Sequence, residues 1–494
     1  MTGIDRRNFL RNSAAAGGLI LAPSLAGLIS CNNDPASPGA GPSLRKAGRG
    51  DGGYGPLAPY APLADLGIIT LPAGFSAVAL SRAGDMMTDG RPVPYAHDGM
   101  AAFLVPGDRF DEDLQGGQPD DDGGDDDDGE REGGRVVLVR NHEVRDVPPI
   151  AKPFGGNSYD RAGGGVTKLV VQVRRDGSAT LLRHRAALSG TFTNCAGGET
   201  PEGSWLTCEE TVAGPRDENG LDTGWRQNHG YVFEVPAADV RQAEPIPYKE
   251  MGRFDHEAVA VDPRTGYVHL TEDRTPSGFY RFRPRNRHQL QRGGKLDMLA
   301  IVGRREFDTS KNQPRGVRYR VRWVTIDQPD SDDPFLASGF VFNQGLAKGG
   351  AGFARLEGCW YGDRSIYFNS TSGGDVGAGQ IWQYVPSQEL LTLVYESPSF
   401  DVLNSPDNVT ISPRGGILLC EDGSGINFLR GLTPDGRIFD FASNDKSEWA
   451  GACFSPQGNT LFVNVQGETS PGINPAGTKG FTLAIWGPWE EGVL

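Results

Sequence analysis

The chain has no block of basic residues. Its 48 Lys and Arg are outnumbered by 63 Asp and Glu, for a net charge of −15. Nowhere do cations gather densely enough to neutralise a row of phosphates, which argues against nucleic acid as a partner. A long apolar run is also missing. The one candidate, Ala14 to Ser30, is interrupted by Gly and Pro and falls short of the roughly twenty apolar residues that a membrane-spanning helix needs. Cysteine is sparse, with six in the chain. With Cys31 set aside, Cys195, Cys208, Cys359, Cys420 and Cys453 are odd in number, so an oxidising compartment leaves at least one thiol or thiolate unpaired. Such a thiolate needs protection, and metal ligation would provide it. No Ser or Thr stands out as a covalent nucleophile.

What is plentiful is Gly, at 70, and Pro, at 35, beside 37% hydrophobic residues. That mixture suits many short strands joined by tight turns and predicts an all-β fold. The length of 494 residues does not force a split, because barrels and propellers commonly exceed about 250 residues as one unit. The acidity is local. Residues 108–134 carry thirteen carboxylates and two Arg, a net of −11, which leaves −4 for the remainder. This run reads as a solvated, disordered insertion, with loose Ca²⁺ binding as the other reading.

At the N-terminus Arg6 and Arg7, followed by Phe9, Leu10 and the apolar run, resemble a twin-arginine export signal. Residues 1–31 are therefore expected to direct the chain to the periplasm or the extracellular space. The sequence "LISC", Leu28 to Cys31, resembles a lipoprotein cleavage box, and lipidation of Cys31 would tether the protein to the membrane. Residues 32–60, rich in Gly, Pro and Ser, read as a flexible linker, and 61–494 as a single domain.

Within that domain one pattern recurs: an acidic cluster, a short strand, a Pro or Gly turn, a second strand and another acidic cluster. In "GRFDHEAVAVDPRTGYVHLTEDR", counting outward from the turn Pro263 to Gly266 sets Glu257 opposite Glu272 and His256 opposite Asp273. The same count sets Asn194 opposite Glu209 and Cys195 opposite Cys208, and elsewhere Asp407 opposite Asp422 and Asn408 opposite Glu421. Looser copies bring Arg355 and Glu357 near Asn369, Glu448 near Asn464 and Gln466, and His97 and Asp98 near His142 and Glu143. Six hairpins with their polar clusters at one end predict a β-propeller of six blades with a site at the axial rim.

So many carboxylates cannot all stay ionised in a confined space without cations. Ca²⁺, which takes six to eight oxygen ligands, fits the supply, and a thiolate among them points to a softer metal such as iron or zinc. The opposed Cys195 and Cys208 fit either a cross-strand disulfide or ligation. The rings of His256 and His142 fit either ligation or a buried structural role. Arg355 lies two residues from Glu357, and side chains two apart on a strand point the same way. It is placed either to hold a phosphate by its guanidinium fork or to pair with an acid for structure.

The pieces "HDGM", "RNHE", "TNCAGGETPEGSWLTCEE", the hairpin quoted above, "RLEG", "SPDNVTISPRGGILLCEDG" and "EWAGACFSPQGNTLFVNVQ", in this order, resemble the PhoX-type phosphatases, exported bacterial alkaline phosphatases. That resemblance implies a six-bladed propeller holding Fe³⁺ and Ca²⁺ at its axis and hydrolysing phosphate monoesters, small molecules, by attack of a metal-activated water or oxo group. It implies Cys195 as the iron-binding cysteine, Glu257 and Glu357 as further ligands, and Glu209 or its neighbour Glu210, Glu272, Asp407, Glu421 or its neighbour Asp422, and Glu448 as the rest of the set. Arg355 matches the position expected to bind phosphate, and Asn194 is placed beside it as a catalytic candidate. A monomer is expected. Two other classes use a similar rim: a calcium-dependent propeller lactonase or esterase, and a non-catalytic surface protein whose blades are held by Ca²⁺.

Overall fold

In the computed structural model, residues 52–104, 134–331, 333 and 339–494 are described. The expected signal, residues 32–51 of the expected linker and the acidic insertion up to Gly133 lie outside the described residues. Residues 52–60 move the linker's end: Tyr54 is buried and donates through its hydroxyl to the carbonyl oxygens of Trp489 and Leu494. β1 (Leu57–Pro59) pairs antiparallel with β2 (Ile69–Pro72). The start of the described chain is thus fastened to its end.

Strands dominate, and the one α-helix among the described residues, α1 (Phe340–Ala347), is eight residues long. No helix among them is long and apolar enough to cross a membrane. β3 (Ser76–Arg82) precedes a four-stranded sheet of β4 (His97–Leu104), β5 (Arg135–His142), β6 (Gly164–Val173) and β7 (Ala179–Thr191). A three-stranded sheet follows, β8 (Asn194–Glu199), β9 (Ser204–Glu209) and β10 (Val232–Pro236). Next come β11 (His256–Asp262), β12 (Tyr267–Glu272), β13 (Phe279–Pro284) and β14 (Gly294–Ile301), then β15 (Arg318–Thr325). β15 joins that set edge to edge with β16 (Leu356–Gly362), β17 (Ser365–Ser370), β18 (Gln380–Val385) and β19 (Leu390–Glu396). β20 (Pro406–Ile411), β21 (Ile417–Glu421), β22 (Asn427–Leu432) and β23 (Ile438–Asn444) carry β2 and β1 on their outer edge. β24 (Trp449–Phe454), β25 (Thr460–Val465) and β26 (Phe481–Trp486) are completed by β3.

Every named pairing is antiparallel, and the first strand of each set faces inward. β4, β8, β11, β16, β20 and β24 each touch the next, and β24 touches β4, so the inner strands close a circle. This is the all-β propeller layout expected from the repeated hairpins. The apolar faces of the sets pack on their neighbours, where Trp205, Trp382, Trp449 and Trp489 are among the largest fully buried side chains. The outlying β15 and β19 alternate buried and exposed residues, as a sheet with one wet face does.

All six inner hairpins share one irregularity. The register shifts between His97 and Met100, Asn194 and Gly197, His256 and Val259, Leu356 and Cys359, Pro406 and Asn408, and Ala450 and Cys453. A bulge of this kind bends one strand and re-aims a side chain. It also corrects the pairings counted from the turns. His256 pairs with Glu272 rather than Asp273, and Cys195, inside its bulge, does not face Cys208; Asn408 pairs with Cys420 rather than Glu421 for another reason, the register being one residue off that count already at the turn, where Ile411 faces Ile417. Asn194 does face Glu209.

The circle is tight because small residues follow the bulge. A Cβ at Gly99 would lie 2.5 Å from Cα of Ala196, and one at Gly358 would lie 2.6 Å from the carbonyl oxygen of Asp407 and 2.7 Å from the amide of Val409. Neither obstacle is a flexible side chain. Gly358→Val should therefore destabilise the protein by about 1–3 kcal/mol or more, as overpacking against backbone does, read as a lower urea midpoint at an unchanged slope.

Candidate metal centre

The bulges decide which side chains reach the axis. In five inner hairpins the residue that follows the first strand residue carries a donor: Asp98, Cys195, Glu257, Glu357 and Asp407. In the sixth that place is taken by Ala450, and Glu448 stands two residues earlier. A second ring comes from the residue just beyond each partner strand: Glu143, Glu210, Asp273, Thr371, Asp422 and Gln466. Each of these six donates its backbone N–H to the carbonyl of the residue preceding its inner strand, namely Ala96, Thr193, Asp255, Arg355, Ser405 and Glu448, at 2.8 to 3.2 Å. Four of those acceptors, Ala96, Thr193, Arg355 and Ser405, sit at φ between 49° and 54°. A non-glycine residue there costs on the order of 1 kcal/mol or more, and such strain gathers at functional sites.

Neighbouring hairpins fix the donors further. Asn141 Nδ2 donates to the carbonyl of Cys195 (3.0 Å), Thr271 Oγ1 to that of Glu357 (2.6 Å), Asn369 Nδ2 to that of Asp407 (2.9 Å) and Asn464 Nδ2 to that of Asp98 (2.5 Å). In each case a side chain of one hairpin holds the backbone of the donor residue on the next. The backbone of these four donors is thus set before any ion arrives.

The donors form four groups, each with ligand atoms within 4.8 Å of one another: Asp98, Glu143 and Cys195; Cys195, Glu210 and Glu257; Glu257, Glu357 and Asp407; Asp407, Asp422 and Glu448. Successive groups share Cys195, Glu257 and Asp407, so the four make one continuous cluster. Cys195 Sγ lies 2.9 Å from Glu257 Oε1 and 3.8 Å from Asp98 Oδ2. Burial pushes Asp98, Glu257, Glu357 and Glu448 well above the ordinary carboxylate range, and neighbouring acids push the same way, although Arg355 opposes the shift at Glu357. Burial raises the Cys195 thiol as well, reinforced by Asp98 and Glu257. On their own these groups would hold protons; their ionised forms need cations. Buried, crowded hard oxygens with one thiol are a donor set that fits metal ions.

Two arginines cap the cluster. Arg355 donates from Nε to Asp273 Oδ1 (2.9 Å), from Nη2 to Asp273 Oδ2 (3.2 Å), and from Nη2 to Glu357. Arg145 donates from Nη2 to Glu210 (2.6 Å) and to Glu143. The guanidinium-bearing side chains are 26% and 31% exposed, whereas the four carboxylates beneath them are at most 5% exposed. Cations form the open layer, and acids the closed one.

Cys195, Glu210, Glu257, Glu357, Asp407 and Glu448, all anticipated from the sequence, come together here. Glu209, Glu272 and Glu421 do not, for one reason: each is the last residue of a partner strand, and alternation turns it away from the axis. Glu209 accepts from the amides of Phe192, Gly230 and Tyr231 and from His229. Glu272 accepts from the Gly278 amide and the Tyr280 hydroxyl. Glu421 accepts from Arg430 and from the amides of Asn404 and Phe428. Asn194 is also turned into its own hairpin, bonded to Thr191 Oγ1 and Thr207 Oγ1. Asp98 and Glu143 join the cluster without having been singled out as ligands, and of the open pair Glu421 and Asp422 it is Asp422 that joins. Their signal was the shared place in the repeat, in "HD", "NC", "HE", "LE" and "PD" and one residue past each second strand.

Cys195 and Cys208 are both buried free cysteines, not a disulfide. The histidines act structurally. His142 bonds to the Tyr95 carbonyl and Thr167 Oγ1, while His256 stacks on Phe254 at 3.6 Å and contacts the Gly252 carbonyl.

His229 anchors the loop that follows Glu210. It lies 2.7 Å from Glu209 Oε1 and 3.4 Å from Asp160 Oδ2. Burial alone would lower its pKa, but Glu209 and Asp160 outweigh burial and lift it to about 9. A folded pKa above the unfolded 6.5 stabilises fully below about pH 6.5 and is lost as pH rises through about 9, a contribution on the order of 3 kcal/mol. In urea titrations, His229→Leu should be strongly destabilised at pH 6 and approach wild type by pH 10. Likewise, Glu421→Ala takes from the 2% exposed Arg430 side chain one of its two carboxylate partners, leaving Asp440, and orphans the amides of Asn404 and Phe428. It should cost about 3–5 kcal/mol while leaving the metal content per folded molecule unchanged by elemental analysis.

The alkaline phosphatase PhoX family model matches residues 52–472. Among solved structures, PhoX of Pseudomonas fluorescens, in complex with the transition-state analogue vanadate, superposes with a TM-score of 0.63 at 18% identity, over 86% of this chain and 97% of that one. A gluconolactonase of Xanthomonas campestris, at a TM-score of 0.35 and 13% identity over 88% of this chain and 98% of that one, is more distant. No curated protein matches the sequence. With its family match spanning residues 52–472, the chain belongs to the PhoX family of alkaline phosphatases.

Proposed function

We propose that this metal-dependent phosphatase hydrolyses phosphate monoesters at the axial cluster, and that the ions held there are Fe³⁺ and Ca²⁺. The observation that carries the reading is the continuous run of four donor groups, one thiol among carboxylates, beneath two partly open guanidiniums. Cys195, shared by two groups with Asp98, Glu143, Glu210 and Glu257, would hold iron, since its sulfur is the one soft donor in the cluster. The all-oxygen groups around Glu357, Asp407, Asp422 and Glu448 suit Ca²⁺. When bound, the ions supply Lewis acidity and cancel phosphoryl charge.

The protein's own contribution is placement. Asp273 grips the fork of Arg355 from one side and Glu357 from the other, so the guanidinium is oriented before substrate arrives. A preset cation beside the equatorial oxygens stabilises the charge of phosphoryl transfer without reorganising. Glu209, Glu272 and Glu421 fall outside the ligand set we propose, and Asn194 outside the substrate contacts. We read the six inner hairpins as six blades. From Arg6 and Arg7 we infer export, and from Cys31 a lipid tether on the same segment.

The test is elemental analysis of the exported protein combined with p-nitrophenyl phosphate hydrolysis before and after chelation. Iron and calcium should both be present, activity should vanish with them, and Cys195→Ser should lose iron. Full activity after complete metal removal would overturn the reading. So would a protein that, with both ions supplied, opens a sugar lactone but releases no phosphate.

A further inference from the structure

Arg145 mirrors Arg355. It follows β5, the partner of inner strand β4, whereas Arg355 precedes inner strand β16, and in the closed circle β4 and β16 are three places apart whichever way they are counted. Their backbones therefore start from opposite sides of the axis, while the guanidiniums reach over the junctions of the first and second and of the third and fourth hairpins. Each stands two residues from a cluster carboxylate, Glu143 or Glu357, and each also reaches a carboxylate of an adjacent hairpin, Glu210 or Asp273. Their exposures are nearly equal. The backbone of Arg145 is pinned, its N–H donating to the carbonyl of Thr469 at 2.7 Å, and the next residue, Asp146, accepts from the Gly472 amide at 2.8 Å.

We propose that Arg145 is a second phosphate-binding residue, which closes on the phosphoryl group from a different junction of the rim than Arg355. The proposal rests on the reading of the cluster as the phosphatase site. Glu143 and Glu210, which Arg145 now holds, belong to separate donor groups. Carboxylates that share their lone pairs with cations hold a guanidinium less tightly, and a cation repels it. The fork then turns to the nearest dianion, and a phosphate at the mouth matches its paired N–H groups. Arg145 thus serves the cluster as counter-ion in one state and the substrate in the other.

The experiment uses the metal-loaded full chain, with Arg145→Gln and Arg145→Lys beside wild type. It measures metal content, KM and kcat for p-nitrophenyl phosphate, and inorganic phosphate binding by titration calorimetry. Arg145→Gln should keep its metals while its KM and its phosphate dissociation constant rise roughly 10- to 100-fold, the range for a lost charged hydrogen bond. Arg145→Lys should recover part of the loss, as a point charge without the fork. Phosphate affinity within about twofold of wild type in a fully metallated Arg145→Gln would overturn the proposal. Weakened binding that merely tracks lost metal in both variants would also overturn it, because Arg145 would then be a counter-ion only. Wild-type inactivity would instead count against the phosphatase reading itself, so the two failures are distinguishable.

Discussion

Acids and a thiol crowded within 4.8 Å of one another, in groups that share members, set the terms for this fold. Buried like charges repel, and burial penalises each charge separately, so a protein brings them together only where the backbone leaves no alternative. Here the constraint is imposed by the six bulges, which in five hairpins follow the first strand residue and in β24 the second. The bulge turns the donor residue toward the axis, and the small residue behind it lets the next inner strand approach. The amide of the second-ring residue closes the open end of the hairpin.

The site is built by repetition but is not symmetric. Ala450, Thr371 and Gln466 occupy repeat positions where other hairpins present an acid or a thiol. Gln466 donates from Nε2 to Asp98 (2.9 Å) and to Glu143, tying the first group together with a neutral side chain. Glu448 enters from two residues before the place of Ala450. These departures confine the thiol to one side of the cluster and leave groups of oxygen donors alone on the other. A six-fold frame can in this way hold ions of different chemistry.

Much of this was legible in the sequence. The hairpins, their common polar end and the class of fold follow from turn residues and strand formers, which act locally. The donors were harder to name because a strand's side chains alternate, and a slip of one residue exchanges the two faces. Counting from Pro263 to Gly266 gave the pairing near that turn correctly, as Val259 facing Leu270 attests, and then failed at the bulge beyond it. That is why Glu272 was taken for a ligand; in the β20–β21 hairpin the count was one residue off from the turn onward, so Glu421 was taken with Asp422 left open beside it. Arg145 was invisible for a different reason: nothing local marks it, and its meaning depends on Glu210, 65 residues away.

The same geometry ties ion binding to folding. The donors stretch from Asp98 to Glu448, and the first and last sets of strands are joined through β24 beside β4 and β3 beside β26. An unfolded chain cannot assemble residues so far apart, so the free energy of binding ions is gained only in the closed circle and adds to its stability. Conversely, a metal-free circle must accommodate its acids by taking up protons, which keeps the backbone frame but alters the charge that Arg145 and Arg355 face. The frame supplied by bulges, close glycines and Asn and Thr latches is held by neutral groups throughout. It can therefore persist while the centre changes charge, and the arginines can respond to the ions without the propeller itself rearranging.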